Sequence, residues 1–207
     1  MIQGIFISLL NPVLALALSG LFLKLWSERK AQTHVLFFSV SYLCYAAAFG
    51  LQISRWPFGD PENALLSNLF LLGTFGSAIH GMMRRRRHPT PLAALTTLAV
   101  LGFAAQFWFA VIQPDMTGRI YAVNFCYGGM MLLAAAEMRS FPEKTAVERL
   151  LFGVVLTIGI YSFARTVGIS LMQGHIAERS EYVGSLTWVV LNFSAALFAL
   201  LLALTLI

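Results

Sequence analysis

The chain has 207 residues, of which 58% are hydrophobic and only 11% are charged. A typical soluble domain carries about 25% charged residues, so the composition excludes a soluble globular protein and predicts an integral membrane protein. The two cysteines, Cys44 and Cys126, lie inside apolar runs without a CxxC spacing. This placement favours packing residues over a disulfide or a metal site.

Seven apolar runs are long enough to cross a membrane, since a helix needs roughly 20 residues to span about 30 Å of hydrocarbon. The runs therefore predict an all-α integral membrane protein, a seven-transmembrane-helix bundle. The connections are short, so residues 1–207 are expected to form a single transmembrane domain. The predicted helices cover about 4–25, 34–53, 64–83, 91–112, 119–138, 149–172 and 183–207.

Basic residues are divided unevenly among the six predicted loops. The first, third and fifth loops contain ten of the 14 Lys and Arg residues, whereas the second, fourth and sixth are richer in acids. Positive loops stay in the cytoplasm, which predicts an outside N-terminus and a cytoplasmic C-terminus. The largest group, Arg84 to Arg87, is expected to anchor the third helix at the cytoplasmic headgroups, where it could also bind anionic lipid. No nucleic-acid binding is expected.

One charged residue, Arg165, lies well within a predicted span, about seven residues or roughly 10 Å from the outer end of the sixth helix. No aspartate or glutamate lies deep in a predicted span, so its partner must be backbone, polar side chains, water, lipid or a ligand. Most in-span amides fall in the same outer half, with aromatic residues around them. The predicted ligand-binding residues are Arg165, Asn68, Asn124, Gln106, Asn11, Tyr161, Tyr121, Trp188 and Asn192.

Two interpretations of these polar residues stay open. In the first, they converge on a cavity open to the outside, and the guanidinium of Arg165 favours an anionic or carbonyl-bearing ligand. In the second, Arg165 extends toward the headgroups and the amides hydrogen-bond between helices. The two interpretations are compatible with each other.

Several functions are excluded by missing residues. The last run contains no lysine for a retinal Schiff base, and the chain has no HExxH, GxSxG, P-loop or GxGxxG motif and no in-span aspartate pair. His34 and His80 lie toward the cytoplasmic ends of the second and third helices without further ligands, which favours interfacial histidines over a metal site. The chain is therefore not expected to be an enzyme or to carry a cofactor or metal.

The segment Asn63-Ala-Leu-Leu-Ser-Asn-Leu-Phe-Leu-Leu-Gly73, followed by the basic run Arg84–Arg87, resembles the third helix of bacterial membrane-associated sensor (MASE-like) regions. The segment from Leu150 to Arg165 and the Leu-rich last helix are similar as well. Such regions are multi-helix input modules of GGDEF diguanylate cyclases. The resemblance covers most of the chain and implies that the last helix continues into a cytoplasmic output domain, which works as a dimer and makes cyclic di-GMP.

The leading hypothesis is thus a sensor in the bacterial inner membrane. It would bind a small ligand, anionic or amphiphilic, from the periplasm or the outer leaflet, and would regulate its own C-terminal effector domain in a homodimer. The chain stops inside apolar sequence, so the output domain, a diguanylate cyclase or a sensor kinase, is expected after residue 207. A small-solute transporter or channel is the first alternative, and a structural membrane anchor that dimerises its partner is the second.

Overall fold

A computed structural model describes residues 2–54, 60–141, 145–173 and 186–206, with side chains from residue 9 onward except at 60, 169–173, 186–189, 191 and 192. The regular structure in these ranges is entirely helical. Its α-helices are α1 (Ile2–Glu28), α2 (Thr33–Ser54), α3 (Asp60–Arg85), α4 (Leu92–Phe107), α5 (Met116–Arg139), α6 (Ala146–Gln173) and α7 (Leu186–Leu206). A π-helical turn, Trp108–Ile112, extends α4.

Six of the described helices, α1 to α6, are long and apolar enough to cross a membrane when α4 is counted with its π-helical turn. Their outer surfaces carry exposed apolar side chains such as Val13, Leu43, Leu101 and Ile160, which lipid can cover. These features indicate a multi-pass membrane protein. Each predicted range overlaps one of the observed helices, but a seventh crossing by α7 and the direction of insertion stay predictions.

The helices pack in the order α1, α2, α3, α5, α6 and α7, and α7 returns to α1. The remaining helix, α4, packs outside this ring against α3 and α5. We call the end of the bundle that carries Arg84 to Arg87 the basic end. Contacts of Arg84, Arg85, Arg86 and His88 place the start of α2 and α6 and the finish of α3, α5 and α7 at that end, so α2 and α6 run opposite to α3, α5 and α7.

The basic run is shaped by the way in which α3 finishes. The amide of His88 donates to Met83 O at 3.0 Å and that of Arg87 to Arg84 O at 3.1 Å, which is the Schellman pattern of a helix C-terminus. Arg87 occupies its left-handed position with φ of 54°, where glycine is the usual residue. The chain therefore turns away from α3 directly after Arg86.

Three arginines of this run each contact a different helix. Arg84 Nε donates to Thr33 Oγ1 on α2 at 2.8 Å, Arg85 Nη1 donates to Thr205 O on α7 at 3.2 Å, and Arg86 forms an ion pair with Glu148 on α6. The run thus ties together the basic ends of four helices. Its expected contact with lipid headgroups stays a prediction.

Close helix packing depends on glycine where α5 meets α6. A Cβ added at Gly159 on α6 would lie 2.7 Å from Leu132 Cδ2 and 3.2 Å from the backbone nitrogen of Leu132 on α5. Gly153, two turns earlier on α6, has nothing within 4 Å of the same position. Substitutions at these two glycines therefore distinguish the effect of helix packing from that of intrinsic helix propensity.

We expect Gly159→Ala to lower the thermal unfolding midpoint in detergent, because α6 must move away from α5 at a cost of about 1–3 kcal/mol. Gly153→Ala is the matched control and should leave the midpoint unchanged or raise it, since alanine favours a helix by about 0.5–1 kcal/mol over glycine. Equal midpoints for the two variants would contradict the close approach of α5 and α6.

Candidate functional site

A cavity of about 300 Å³ lies inside the helix ring, with walls from α2, α3, α5, α6 and α7 and one residue of α4. Each long helix contributes residues at spacings of three and four, which form one helix face. The stripe on α6, for example, consists of Ile158, Tyr161, Ser162 and Arg165. On α3 the lining extends from Asn63 to Ala78, or about 22 Å at 1.5 Å per residue.

The structure brings five of the predicted ligand-binding residues to this one cavity. They come from four helices that are separated in sequence, and none of the five lies at the end of the lining nearest the basic end. They are Asn68 on α3, Gln106 on α4, Asn124 on α5, and Tyr161 and Arg165 on α6. Arg165 therefore lines the interior of the bundle. That these residues bind a ligand stays a prediction.

Two predicted residues lie outside the lining. Asn11 is fully buried and accepts a hydrogen bond from the hydroxyl of Tyr45, a lining residue, at 3.1 Å, so it supports the wall from behind. Tyr121 follows the lining residue Ile120 by one position, or about 100° of helix rotation, and packs against Phe125 at 6.3 Å between ring centroids. The side chains of Trp188 and Asn192 lie outside the described part of the chain.

Arg119 is a second cationic residue of the cavity wall. The predicted fifth span begins only at Arg119, but α5 begins earlier, at Met116. Asp115 caps this helix because its Oδ1 accepts the amide of Thr117 at 2.9 Å. Asp115, a typical N-cap residue at the start of a short polar stretch, is the sequence signal for this extra turn. The turn places Arg119 on the face of α5 that lines the cavity.

Other lining residues were also absent from the predicted set. They share hydroxyl or amide groups on faces of α2, α3 and α5 that sequence alone does not orient. They are Ser41, Tyr42, Tyr45, Gln52, Asn63, Ser67, Thr74 and Tyr127.

Some polar contacts at the cavity join helices, as the second interpretation expected. Asn68 Nδ2 donates to Ala64 O at 2.8 Å within α3, and the hydroxyl of Tyr127 on α5 lies 3.1 Å from Asn68 Oδ1. Elsewhere, Ser19 and Ser39 exchange hydrogen bonds between α1 and α2 through each other's carbonyl oxygens. Asn68 is thus held in place by the protein itself.

Two other amides of the cavity wall each carry one polar atom that is available to hydrogen-bond with a ligand. Gln106 and Asn124 are only 3% and 4% exposed, yet Gln106 Oε1 and Asn124 Nδ2 have no hydrogen-bond partner among the described residues. A buried polar group without a partner costs about 1–3 kcal/mol. The π-helical turn begins two residues after Gln106, and such turns are frequent at functional sites.

The electrostatics of the cavity favour an anion. Arg119 and Arg165 contribute two guanidinium groups to the wall, and none of the lining residues identified in the described part is acidic. Guanidinium groups offer several donors in a fixed fork that fits a carboxylate or a phosphate. Together with the amides of Gln106 and Asn124, they form a donor-rich region at one end of the cavity.

The last helix forms part of the same wall. Ala195, Phe198, Ala199 and Leu202 of α7 line the cavity, so the small residues of this helix face inward. The hydroxyl of Tyr42, another lining residue, donates to Ala199 O at 2.6 Å. Any molecule that fills the cavity would therefore contact α7 directly and also touch the side chain that is hydrogen-bonded to it.

The two histidines near the basic end have separate aromatic neighbours. The ring of His34 packs edge-on against Phe38 and that of His80 against Phe37. Across the described ranges, no group of three or more His, Cys, Asp or Glu side chains is close enough to hold a metal ion.

Fold and site together define a multi-pass membrane bundle with an internal cavity that is polar at one end. Comparisons with protein-family models, curated proteins and solved structures find no match to the chain.

Proposed function

We propose that this chain is a sensory input module of the bacterial inner membrane. It binds a small anionic or amphiphilic ligand in the cavity, which opens to the outside, and its last helix regulates a C-terminal cytoplasmic signalling domain. A diguanylate cyclase that works as a homodimer is the output that the sequence resemblance implies. The single observation that carries the proposal is that α7, the last helix, forms part of the cavity wall.

The contacts supply a route from the cavity to the basic end. A ligand held at Arg165 on α6 would also press on the neighbouring face of α7, where Tyr42 is hydrogen-bonded to Ala199 O. The far end of α7 is held by the hydrogen bond from Arg85 to Thr205 O. A ligand shifts such a bundle only if it prefers one helix arrangement over another, and contacts to two helices at once provide that preference.

A transporter or channel, the first alternative, would need a polar route through the whole bundle. Toward the basic end the lining consists mainly of Leu71, Phe75, Ala78 and Met131, and buried residues such as Met82 follow. The hydroxyls of Ser41 and Thr74 in this part donate to backbone carbonyls. This closed, apolar half favours binding over passage. A structural anchor, the second alternative, gives no role to a cavity with buried amides that lack partners.

The proposal is tested by measuring whether cavity occupancy moves α7. Spin labels are placed at two exposed basic-end positions, Val147 on α6 and Leu204 on α7, after replacing both native cysteines with alanine. Delipidated protein in nanodiscs is then compared with the same protein after addition of a bacterial membrane extract. We expect the distance distribution between the labels to shift by about 1–2 Å, the usual scale of helix shifts.

Arg165→Gln should abolish this shift, whereas Arg149→Gln, which removes an exposed arginine of the same helix, should retain it. A label distance that the extract leaves unchanged in every variant would refute sensing through α7. Flux of small anions into liposomes that contain this chain alone would instead support the transporter.

A further inference from the structure

We propose that the cavity takes a single-chain anionic amphiphile of the fatty-acid type. The carboxylate would lie among Arg119, Arg165 and Asn124, and the chain would extend toward Ala78 and Met131. The inference rests on the proposed function only in taking the cavity to be a ligand site, and it names the chemical class of that ligand.

The shape of the cavity favours one extended chain. Its lining extends over 16 residues of α3, from Asn63 to Ala78, and 16 of α5, from Met116 to Met131, which is about 22 Å on each helix. Its volume of about 300 Å³ is at the lower limit of typical small-molecule pockets. A cavity of this volume that extends over this length suits one extended acyl chain.

The polarity of the lining changes along this length. On α3, Asn63, Ser67 and Asn68 are followed by Leu71, Thr74, Phe75 and Ala78, and the hydroxyl of Thr74 donates to Phe70 O within the helix. On α5, Arg119 and Asn124 are followed by Tyr127, whose hydroxyl donates to Asn68 Oδ1, and then by Met131, so the polar groups nearer the basic end are hydrogen-bonded within the protein. An amphiphile matches this order, because it has one polar end and one apolar end.

The head group is indicated by the donors at the polar end. A carboxylate can accept hydrogen bonds from both guanidinium groups and from Asn124 Nδ2, which has no partner among the described residues. Rotation of the Gln106 amide by 180° would present its nitrogen to the same group, since amide oxygen and nitrogen are interchangeable in placement. A cationic head would be repelled by the two guanidinium groups, and a purely apolar head would leave Asn124 Nδ2 without an acceptor among the described residues.

The bilayer itself is as apolar as the inner half of the cavity, so transfer of an acyl chain from lipid gains little. The preference of the ligand for the cavity over the bilayer must therefore come from its head group. The length of the acyl chain decides whether the ligand fits the cavity. From water, each methylene that fits should improve binding by roughly fourfold, and the gain should stop where the chain reaches Ala78.

The experiment measures saturable binding of radiolabelled dodecanoate to the protein in nanodiscs, after subtraction of empty nanodiscs. We expect unlabelled dodecanoate to compete, and acetate, dodecanol and dodecyltrimethylammonium to fail at equal free concentration. Arg165→Gln should weaken binding by about 10–100-fold, the effect of losing a charged hydrogen bond, whereas Arg149→Gln should bind as the unchanged chain does.

A second variant tests the position of the acyl chain without changing the hydrogen-bond donors of the cavity. Ala78→Val shortens the apolar end of the cavity, so it should weaken hexadecanoate binding more than octanoate binding. Competition by acetate would overturn the amphiphile, and equal competition by dodecanol or the cation would overturn the anionic head. Equal losses for both chain lengths in Ala78→Val would overturn the placement of the tail.

The outcomes separate this inference from the proposed function. Absence of saturable dodecanoate binding, with an α7 shift still produced by membrane extract, would reject the fatty-acid class and leave the sensor. Saturable dodecanoate binding without any α7 shift would keep the ligand class and reject the sensor.

Discussion

Glu148→Ala is expected to lower the free energy of unfolding by about 3 kcal/mol, the largest stability loss of the substitutions considered. Glu148 is 5% exposed and pairs with Arg86, whose Nη2 donates to Glu148 Oε2 at 2.7 Å. The same carboxylate accepts the amide of Thr145 at 3.0 Å, and Thr145 Oγ1 accepts the amide of Glu148 at 3.3 Å. This reciprocal pair is a capping box at the start of α6.

The substitution therefore removes a helix cap and leaves a partly buried guanidinium without its carboxylate. Because the side chain of Arg86 is 32% exposed, water can solvate it, and the loss should lie at the lower end of the 3–5 kcal/mol typical of a fully buried pair. For a chain of this length, about 3 kcal/mol corresponds to roughly 6–12 °C in the thermal midpoint.

Glu137→Ala is the matched control, because Glu137 approaches His88 only at 3.9 Å and both side chains are partly exposed. Its midpoint should change by less than about 2–4 °C, as expected for a surface pair worth 1 kcal/mol or less. Glu148→Gln should fall between the two, since the amide oxygen can still accept from Thr145. Similar losses for Glu148→Ala and Glu137→Ala would refute the buried pair.

The existence of the helices could be predicted because hydropathy over about 20 residues is a strong signal. Helix rotation could not, because lipid and protein core are both apolar. On α3, Leu69 is 55% exposed and Leu71 is 8% exposed, although the same residue type stands two positions apart. On a soluble helix, an exposed position such as that of Leu69 would usually carry a polar residue. On a membrane helix it carries an apolar one, so the two faces look alike in the sequence.

The polar residues were more informative than the apolar ones. Burying an amide in hydrocarbon is costly unless it faces the interior, so depth alone was enough to group Asn68, Gln106, Asn124 and Arg165. The same argument failed for Tyr121, because an aromatic ring is tolerated on any face. Arg119 was missed for another reason, since the start of α5 depends on the cap by Asp115 and not on hydropathy.

Asn124→Leu is expected to stabilise the unliganded protein while removing ligand binding. Asn124 Nδ2 has no hydrogen-bond partner among the described residues and the side chain is 4% exposed, so an apolar side chain of similar size removes a desolvation cost. The gain should be about 1 kcal/mol, or roughly 2–4 °C in the thermal midpoint. Binding sites commonly trade stability for function in this way.

Asn68→Leu is the matched control, because it makes the same change at an amide whose nitrogen donates to Ala64 O and whose oxygen lies 3.1 Å from the hydroxyl of Tyr127. It should lose about 1–2 kcal/mol, since satisfied hydrogen bonds are removed. The hydroxyl of Tyr127 keeps Asn68 O as an acceptor at 3.2 Å, which limits the damage.

The two variants should also differ in their response to dodecanoate. A molecule that binds only the folded state raises the midpoint by an amount that grows with the logarithm of its concentration over its dissociation constant, so the unchanged chain should be stabilised by dodecanoate. Asn124→Leu should lose that increment while starting from a higher midpoint, and Asn68→Leu should keep part of it from a lower one. Equal losses of stability in both variants would mean that the Asn124 amide is hydrogen-bonded within the fold and is not available to a ligand.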